Sequence, residues 1–359
     1  MAKKGNQEVS VTRIGMNPAR HRVSDFTPAR VTVAMLVYLP HLTGYFQHRF
    51  DVVKLSVASL LNNTELSYDL LIFDNGSCEE VKVWLRQLEE TGSVRFLFSS
   101  SENIGKLNAL RLLVGAAPGE LIAYTDDDTF FYPGWLSAHV GLLDAFPKVG
   151  MVSGSPERTL FDHGIQSNIR LAQSDPEVSM SYGKRILEQW EREWAIALGN
   201  DPEDFLQHIH DIEDIVVERR GVRAYATACH NQFLSPKSVM QKFLQGQWTG
   251  RLMGGLNELD NAIDADGYMR LTTIDRTTRL IGNVVGSELI KEANRFNIQF
   301  DGRIWQGAST RRRGLGTKLV NWRPIHWLLQ GLYNRLFWLL TGQRGGWLDV
   351  EQGEEHTEG

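Results

Sequence analysis

The stretch AYTDDDTFFYPGWL, residues 123–136, places three consecutive aspartates directly after an apolar run. Like charges side by side repel one another, so a buried strand that ends in Asp126, Asp127 and Asp128 needs a source of positive charge. Carboxylate oxygens are the ligands that hard divalent cations such as Mg²⁺ and Mn²⁺ prefer in proteins. The triplet therefore predicts a bound cation, and the alternative is a solvated turn that caps the following helix.

Strand and helix patterns alternate along the chain before the aspartate triplet. Continuous apolar runs predict strands over 31–39, 68–77, 94–100 and 120–128, and apolar residues at helical spacing predict helices over 49–63, 79–92 and 105–117. This alternation is typical of βαβ units, so we predict an α/β fold with a mostly parallel sheet flanked by helices. Ligands of such sheets bind at the carboxyl ends of the strands, where Asp74 and the triplet both fall.

The second half of the chain is less regular. Its patterns predict long helices over 184–199 and 202–221, a return to the sheet over 223–235, and an acidic helix within 256–271 that Gly267 closes. We therefore expect a helical insertion between two parts of one sheet. The chain then divides into a basic arm over 1–30, a first half over 31–150, a second half over 151–300, and a segment over 301–359 with a basic loop, an apolar helical extension and an acidic tail.

The composition narrows the class of protein. Of the 359 residues, 42% are hydrophobic and 23% are charged, which is ordinary for a soluble globular protein. A net charge of −5 gives no reason to expect nucleic acid as a partner. The only cysteines, Cys78 and Cys229, favour a reducing cytosol over a disulfide framework or a zinc site. No stretch offers about 20 apolar residues and the N-terminal stretch lacks a signal-peptide pattern, so we expect a cytoplasmic protein without a transmembrane helix.

Four elements, taken in their order along the chain, resemble the family 2-type inverting glycosyltransferases of the GT-A fold. They are VTVAMLVYLP (31–40), LLIFDNGS (70–77), ENIGKLNAL (102–110) and the aspartate stretch at 123–136. The resemblance implies a Rossmann-like enzyme that transfers a sugar from a nucleotide-diphosphate donor to an acceptor hydroxyl with inversion, assisted by Mg²⁺ or Mn²⁺. It also implies that the first half binds the donor and the second half binds a glycan or lipid-linked acceptor.

The same resemblance implies donor-binding roles for residues outside the triplet. Asp74 would accept a hydrogen bond from the base of the donor. Asn103, Gly105 and Lys106 would shape the nucleotide pocket, and Lys106 would be available to a phosphate. Taken alone, Asp74 and Lys106 also fit a turn cap and a surface lysine.

Within the triplet, the resemblance implies that Asp126 lies by the donor ribose and that Asp128 coordinates the metal that bridges the diphosphate. Asp127 belongs to the donor-binding set but is expected to point away as a solvated side chain. The family often supplies a further metal ligand from a histidine after the next strand. Leu280 stands at that place in TTRLIGN (277–283), so the third ligand is in doubt unless Arg279 or a water compensates.

An inverting transferase also needs a general base that takes the proton of the acceptor hydroxyl. The resemblance implies a carboxylate near the start of a helix in the second half, and NELDNAIDADGYMRL (257–271) is the best local match. We favour Asp260 as the base, with Glu258 as the alternative, and we expect Glu258 and Asp264 to raise the pKa of Asp260 and the metal to lower it. The remaining interpretation is a solvated acidic face paired with Arg270.

Two histidine-containing stretches bear on the acceptor and the metal. ACHNQF (228–233) lies where the second half meets the sheet, and we expect His230 and Gln232 to contact the acceptor. The alternative for His230 is a hydrogen-bonded structural histidine. HIHDIED (208–214) contains metal-binding residue types, but on a polar helix a solvated face explains it better.

The terminal segment carries two further patterns. STRRRG (309–314) fits a lid over the donor diphosphate, a contact with anionic lipid, or a solvated loop. PIHWLLQGLYNRLFWLL (324–340) predicts either a helix in the membrane interface or a core or dimer contact. The wider stretch 319–340 is therefore the candidate for a peripheral contact with the inner face of the membrane.

Two other functions stay open. A nucleotidyltransferase would use similar carboxylates on a nucleoside triphosphate, but VYLPHLTGYF (37–46) lacks the glycine-rich basic loop expected after the first strand. The second alternative is a non-catalytic sugar-nucleotide-binding or scaffold protein. Leu280 and the unusual NELD stretch are its support.

Overall fold

The computed structural model describes residues 19–304, except 21, 23, 24, 247, 249, 251 and 253. The features predicted beyond residue 304, namely the basic loop at 309–314, the helix at 324–340 and the acidic tail, lie outside the described residues. Across the described part of the chain, no helix is long and apolar enough to cross a membrane.

Strands and helices alternate through most of the described chain. The strands are β1 (Val31–Val37), β2 (Tyr68–Asn75), β3 (Phe96–Ser100), β4 (Leu121–Asp126), β5 (Thr129–Phe131), β6 (Val149–Ser153), β7 (Val178–Gly183), β8 (Asp214–Arg219), β9 (Val222–Tyr225), β10 (Gln232–Pro236), β11 (Met269–Thr273) and β12 (Thr278–Leu280). The helices are α1 (Arg49–Asn63), α2 (Glu79–Glu90), α3 (Lys106–Ala116), α4 (Trp135–Ala145), α5 (Gln166–Ser174), α6 (Glu188–Ala197), α7 (Pro202–His208), α8 (Lys237–Phe243), α9 (Leu256–Ala265) and α10 (Ser287–Arg295).

One ten-stranded sheet forms the centre of the fold, in the order β3-β2-β1-β4-β10-β6-β11-β9-β8-β7. The strands β3, β2, β1 and β4 pair in parallel, as the βαβ pattern predicted. Among the ten, β10, β9 and β7 run against the other seven, so the prediction of a mostly parallel α/β sheet is confirmed. The short strands β5 and β12 form a separate antiparallel pair.

The core occupies both faces of the sheet. All seven residues of β1 are buried, because β2 and β4 flank it and helices cover both of its faces. On one face, Val53 and Val57 of α1 pack with β1, and on the other Leu110 and Leu113 of α3 pack against neighbouring strands. Burial on both faces explains why these strands appear in the sequence as continuous apolar runs and not as alternating patterns.

The predicted long helix over 202–221 is wrong. Helix α7 ends at His208, and the following residues form β8, which pairs with both β7 and β9. Ile215, Val216 and Val217 are buried in the sheet, and such a β-branched run favours a strand. The solvated face predicted for 208–214 holds only in part, because Asp214 is buried and accepts a 2.7 Å hydrogen bond from Arg158 Nε.

The other second-half predictions agree with the structure. Helices α5, α6 and α7 supply the helical insertion, although α6 begins at Glu188 and not near 184. The acidic helix α9 ends before Gly267, whose φ of +81° is in the left-handed region that a glycine adopts without strain. Strands β9 and β10 bring the chain back to the sheet as predicted.

The carboxyl ends of β1, β2 and β4 meet at one edge of the sheet. Along the central strand, Val37 is opposite Asp74 of β2, and Leu36 is opposite Asp126 of β4. The antiparallel strand β10 begins at this edge, with Gln232 opposite Thr125. The topology therefore brings the loop before β10 to the aspartate triplet.

Candidate active site

Asp74 ends strand β2 and is fully buried. Its Oδ1 accepts a 2.9 Å hydrogen bond from the backbone N–H of Ser77, which fixes the turn after the strand. Its Oδ2 is buried and has no hydrogen-bond partner among the described residues. An unpaired buried acceptor costs about 1–3 kcal/mol, so this oxygen suits a ligand that brings its own N–H or O–H donor.

The turn before α3 is built by two asparagines. The amide of Asn75 donates to Asn103 Oδ1 at 2.9 Å, and Asn103 Oδ1 also accepts from the backbone N–H of Gly105 at 2.8 Å. Gly105 has a φ of +83° and starts helix α3, so its lack of a side chain allows the turn. Asn103 therefore holds the loop that presents Lys106, rather than extending freely into the pocket.

Asp126 lies at the exposed side of the triplet, between two donors. Lys106 Nζ is 2.6 Å from its Oδ2, and the Tyr124 hydroxyl donates to its Oδ1 at 2.6 Å. Its backbone N–H donates to the carbonyl of Asn231 at 2.9 Å. The lysine predicted for the donor pocket thus neutralises the first aspartate of the triplet.

The other two aspartates share Arg49, which the sequence analysis missed. The Arg49 guanidinium bonds Asp127 through Nη2 and lies 2.8 Å from Asp128 Oδ2 through Nη1. Nη1 also donates to the carbonyl of Gly282 at 3.0 Å. The only signal for Arg49 is a basic residue at the start of the helix after β1, because its partners lie more than 70 residues away.

The prediction that Asp127 is a solvated side chain is wrong. Asp127 is buried, and its Oδ2 accepts a 3.2 Å hydrogen bond from the backbone N–H of Tyr38. Burial raises the pKa of Asp127 to about 6, against the opposing charge of Arg49. Burial also raises the pKa of Asp128 above its ordinary value, again opposed by Arg49.

The charges around the triplet leave room for a cation. Three carboxylates face two cationic side chains, so one negative charge stays uncompensated. Asp126 and Asp128 keep 21% and 17% of their side chains exposed. Leu280 packs against apolar neighbours that include Trp194, and no group of three potential metal ligands occurs among the described residues. The residues fit Mg²⁺ or Mn²⁺ if substrate phosphates and water complete the shell, as Mg²⁺ sites commonly require.

Asp260 of helix α9 is fully buried beside three basic side chains. Its Oδ2 lies 2.9 Å from both His230 Nδ1 and Arg270 Nη2, and His163 Nε2 is 3.7 Å away. Its Oδ1 is buried and has no partner among the described residues. Burial acts to raise the pKa of Asp260, but His163, His230 and Arg270 together hold the pKa below its ordinary value.

Glu258 and Asp264, which we expected to raise this pKa, are not among its main influences. Asp264 turns its Oδ1 to Ser167, accepting from its backbone N–H at 2.8 Å and from its hydroxyl at 2.7 Å. Glu258 is exposed in the first turn of α9. The basic side chains beside Asp260 affect its pKa more than the acids on its own helix do.

His230 and Gln232 lie on either side of Asn231, whose carbonyl accepts the backbone N–H of Asp126. The His230 side chain is 22% exposed and bonded to Asp260. Gln232 is buried, and its Oε1 accepts from the backbone N–H of Gly154 at 3.2 Å and from the Thr278 hydroxyl at 3.3 Å. Gln232 thus links the sheet to β12, whereas His230 is part-exposed.

Comparison with known proteins identifies a matching family model and similar solved structures. Residues 46–198 match the model for Glycosyl transferase family 2. Similar solved structures include the mannosyltransferase PcManGT from Pyrobaculum calidifontis in complex with GDP-Man and Mn²⁺, at 17% identity and a TM-score of 0.40. That alignment covers 70% of this chain and 58% of PcManGT.

A second similar structure is S. aureus TarS 1-349, at 10% identity and a TM-score of 0.40, with 86% of this chain and 72% of that chain covered. Likenesses this distant carry no weight for function, whereas the family model covers α1, β2, α3 and the aspartate triplet together. Residues 46–198, slightly less than half of the chain, thus resemble glycosyl transferase family 2.

Proposed function

We propose that this glycosyltransferase transfers a sugar from a nucleotide-diphosphate donor to an acceptor hydroxyl with inversion. The main support for the proposal is that two sets of polar groups lie at one edge of the sheet. Carboxylates from β2 and β4 lie there, and the Asp126 backbone bonds Asn231, whose neighbour His230 pairs with Asp260. A donor site beside an acid–base pair is what a displacement at a sugar carbon requires.

The donor would bind along the ends of β2 and β4. The unpartnered Oδ2 of Asp74 would accept a hydrogen bond from the nucleotide base, and Asp126 would lie by the ribose. Lys106 opens helix α3, so both its ammonium and the helix N-terminus would favour the negative diphosphate. Asp128, with Asp126, would hold a divalent cation that offsets the charge of the leaving diphosphate.

The acceptor would enter from the second half of the chain. Inversion requires its hydroxyl to approach the anomeric carbon from the side opposite the diphosphate, with its proton taken by a nearby base. The centre formed by Asp260 and His230 supports this role, because His230 is part-exposed and the next residue, Asn231, accepts the backbone N–H of Asp126. We favour a glycan or lipid-linked acceptor in the cytoplasm or at the inner face of the membrane, with 319–340, outside the described residues, as the membrane contact.

A panel of nucleotide sugars tests the proposal. Each would be incubated with the purified protein and Mn²⁺, and thermal stability would be recorded. A donor present at 100 times its Kd raises the free energy of unfolding by about 2.7 kcal/mol, so the correct donor stands out. The stabilising sugar would then be tested for transfer and for slow hydrolysis.

The products separate this function from its alternatives. Release of a nucleoside diphosphate supports glycosyl transfer, whereas release of pyrophosphate from a nucleoside triphosphate identifies a nucleotidyltransferase. Donor binding with neither transfer nor hydrolysis identifies a non-catalytic binding protein. Each of the last two results overturns the proposal.

A further inference from the structure

We infer that His230 is the general base of the transfer and that Asp260 acts through it as a positioning residue. This inference rests on the proposed glycosyl transfer, and it replaces the sequence-based assignment of Asp260 as the direct base. It comes from the difference in accessibility between the two side chains and from the hydrogen bond that joins them.

Asp260 is enclosed by the groups that neutralise it. A general base must come within about 2.6–3.2 Å of the proton it removes. Asp260 is 0% exposed, and its Oδ2 is occupied by His230 and Arg270. Its Oδ1 is buried as well. An acceptor hydroxyl therefore has no open path to either oxygen.

His230 has the access that Asp260 lacks. Its Nδ1 is 2.9 Å from Asp260 Oδ2, while 22% of its side chain is exposed. Because the lowered pKa of Asp260 keeps that carboxylate ionised, Nδ1 is the nitrogen that carries the proton and donates. In a neutral imidazole with its proton on Nδ1, Nε2 keeps its lone pair. A carboxylate that holds an imidazole in one tautomer also stabilises the imidazolium that forms when Nε2 takes a proton.

The position of His230 connects this pair with the donor site. The carbonyl of the next residue, Asn231, accepts the backbone N–H of Asp126 at 2.9 Å. Strand β10 then runs antiparallel to β4, starting with Gln232 opposite Thr125. His230 therefore lies just before strand β10, which pairs with the strand that ends at Asp126.

The reaction step is a single displacement. His230 Nε2 takes the acceptor hydroxyl proton while an electron pair of that oxygen forms the new bond to the anomeric carbon. The bond from that carbon to the diphosphate oxygen breaks, and its electron pair leaves with the nucleoside diphosphate. The imidazolium, stabilised by Asp260, returns its proton to solvent after product release.

The central test compares His230→Gln with Asp260→Asn in the full chain. We expect His230→Gln to reduce kcat by about 10²–10⁴-fold while calorimetry shows unchanged binding of a nucleoside diphosphate with Mn²⁺. The double variant should be no slower than His230→Gln, because residues that act as a unit are not additive. Imidazole should partly restore transfer by His230→Ala. Transfer by His230→Gln within tenfold of wild type would overturn the inference.

The positioning role of Asp260 has a spectroscopic readout. In ¹⁵N-histidine NMR spectra, the His230 signals, assigned by their loss in His230→Gln, should show Nδ1 protonated and Nε2 bare. Asp260→Asn should abolish that tautomer preference and lower kcat. A wild-type spectrum with Nε2 protonated would overturn the inference.

The exposed pair His210 and Asp211, in the loop between α7 and β8, has the same 2.9 Å contact and serves as a control. His210→Gln and Asp211→Asn should leave transfer unchanged. A wild-type protein that transfers no sugar refutes the proposed function itself. A wild type that transfers, with His230→Gln equally active, refutes only the role of His230.

Discussion

Replacement of Arg49 tests whether the aspartate triplet depends on an internal cation. Arg49→Met keeps most of the length of the side chain and removes its charge, leaving Asp127 and Asp128 without their partner. Removal of one member of a buried ion pair costs about 3–5 kcal/mol, because the remaining charge stays buried and unpaired. We expect a loss of that size in the free energy of unfolding at pH 8.

The loss should shrink at low pH. Asp127 has a folded-state pKa of about 6, whereas an unfolded aspartate titrates near 4, so the folded protein binds more protons in that window. Its stability therefore falls as pH rises from about 4 to 6. Without Arg49 the pKa of Asp127 rises further, and the fall continues above pH 6. At pH 5, Asp127 is largely protonated in both the folded wild type and folded Arg49→Met. We therefore expect Arg49→Met to lose about half as much free energy of unfolding at pH 5 as at pH 8.

Urea unfolding followed by tryptophan fluorescence, at one ionic strength, measures the loss of unfolding free energy in Arg49→Met at pH 5 and at pH 8. Adding Asp127→Asn to Arg49→Met should recover a large part of the loss at pH 8, because the more deeply buried of the two unpaired charges is then gone. The exposed pair Arg30 and Asp144 supplies the control, since its side chains are 51% and 55% exposed. Arg30→Met should cost less than about 1 kcal/mol. A loss for Arg49→Met that is below 1 kcal/mol, or equal at both pH values, would refute the reasoning.

Three further predictions concern Asp128, Asp74 and Glu191. Asp128→Ala should abolish Mn²⁺-dependent binding of a nucleoside diphosphate without unfolding the protein, and unchanged affinity in calorimetry would contradict the metal assignment. Asp74→Asn replaces one carboxylate oxygen by an amide donor, so donor affinity should fall about tenfold or more while the melting temperature holds. Burial raises the pKa of Glu191 to about 7 despite the charge of Arg158, so wild-type stability falls as pH rises from about 4 to 7. Glu191→Gln should therefore be more stable than wild type at pH 8, by about 1–2 kcal/mol, and similar at pH 5; equal stability at both would be contrary evidence.

The sequence predicts the first half of the fold well, because its signals are local. Strands β1, β2 and β4 are buried on both faces and appear as apolar runs, and the parallel connection then requires helices between them. Asp74 and the triplet are predicted to meet because parallel strands end at the same edge. These inferences need only the hydrophobic pattern of each segment and the rule that helices connect neighbouring parallel strands.

The predictions that the structure contradicts depend on contacts between segments far apart in the sequence. Phe205, Ile209 and Ile212 recur at helical spacing, so the stretch before β8 resembles a continuing helix until β7 and β9 supply strand partners. Arg49 is 78 residues from Asp127 in sequence, and no local pattern marks the pair. Likewise, Asp260 and His230 are both predicted as site residues, but their contact, which decides their roles, spans 30 positions.

The two cations of the triplet differ in what they can do. Arg49 is bonded to Asp127, Asp128 and the carbonyl of Gly282, so its movement would break three contacts at once. Lys106 has one ion pair, with Asp126, and its flexible stem allows it to exchange that partner for a phosphate. Asp127 and Arg49 therefore form the internal support of the triplet. Asp126 and Asp128, the two part-exposed carboxylates on either side, are the ones that we propose to contact the donor. In that proposal, a run of three aspartates serves a site that uses two, because the middle aspartate holds Arg49 in place.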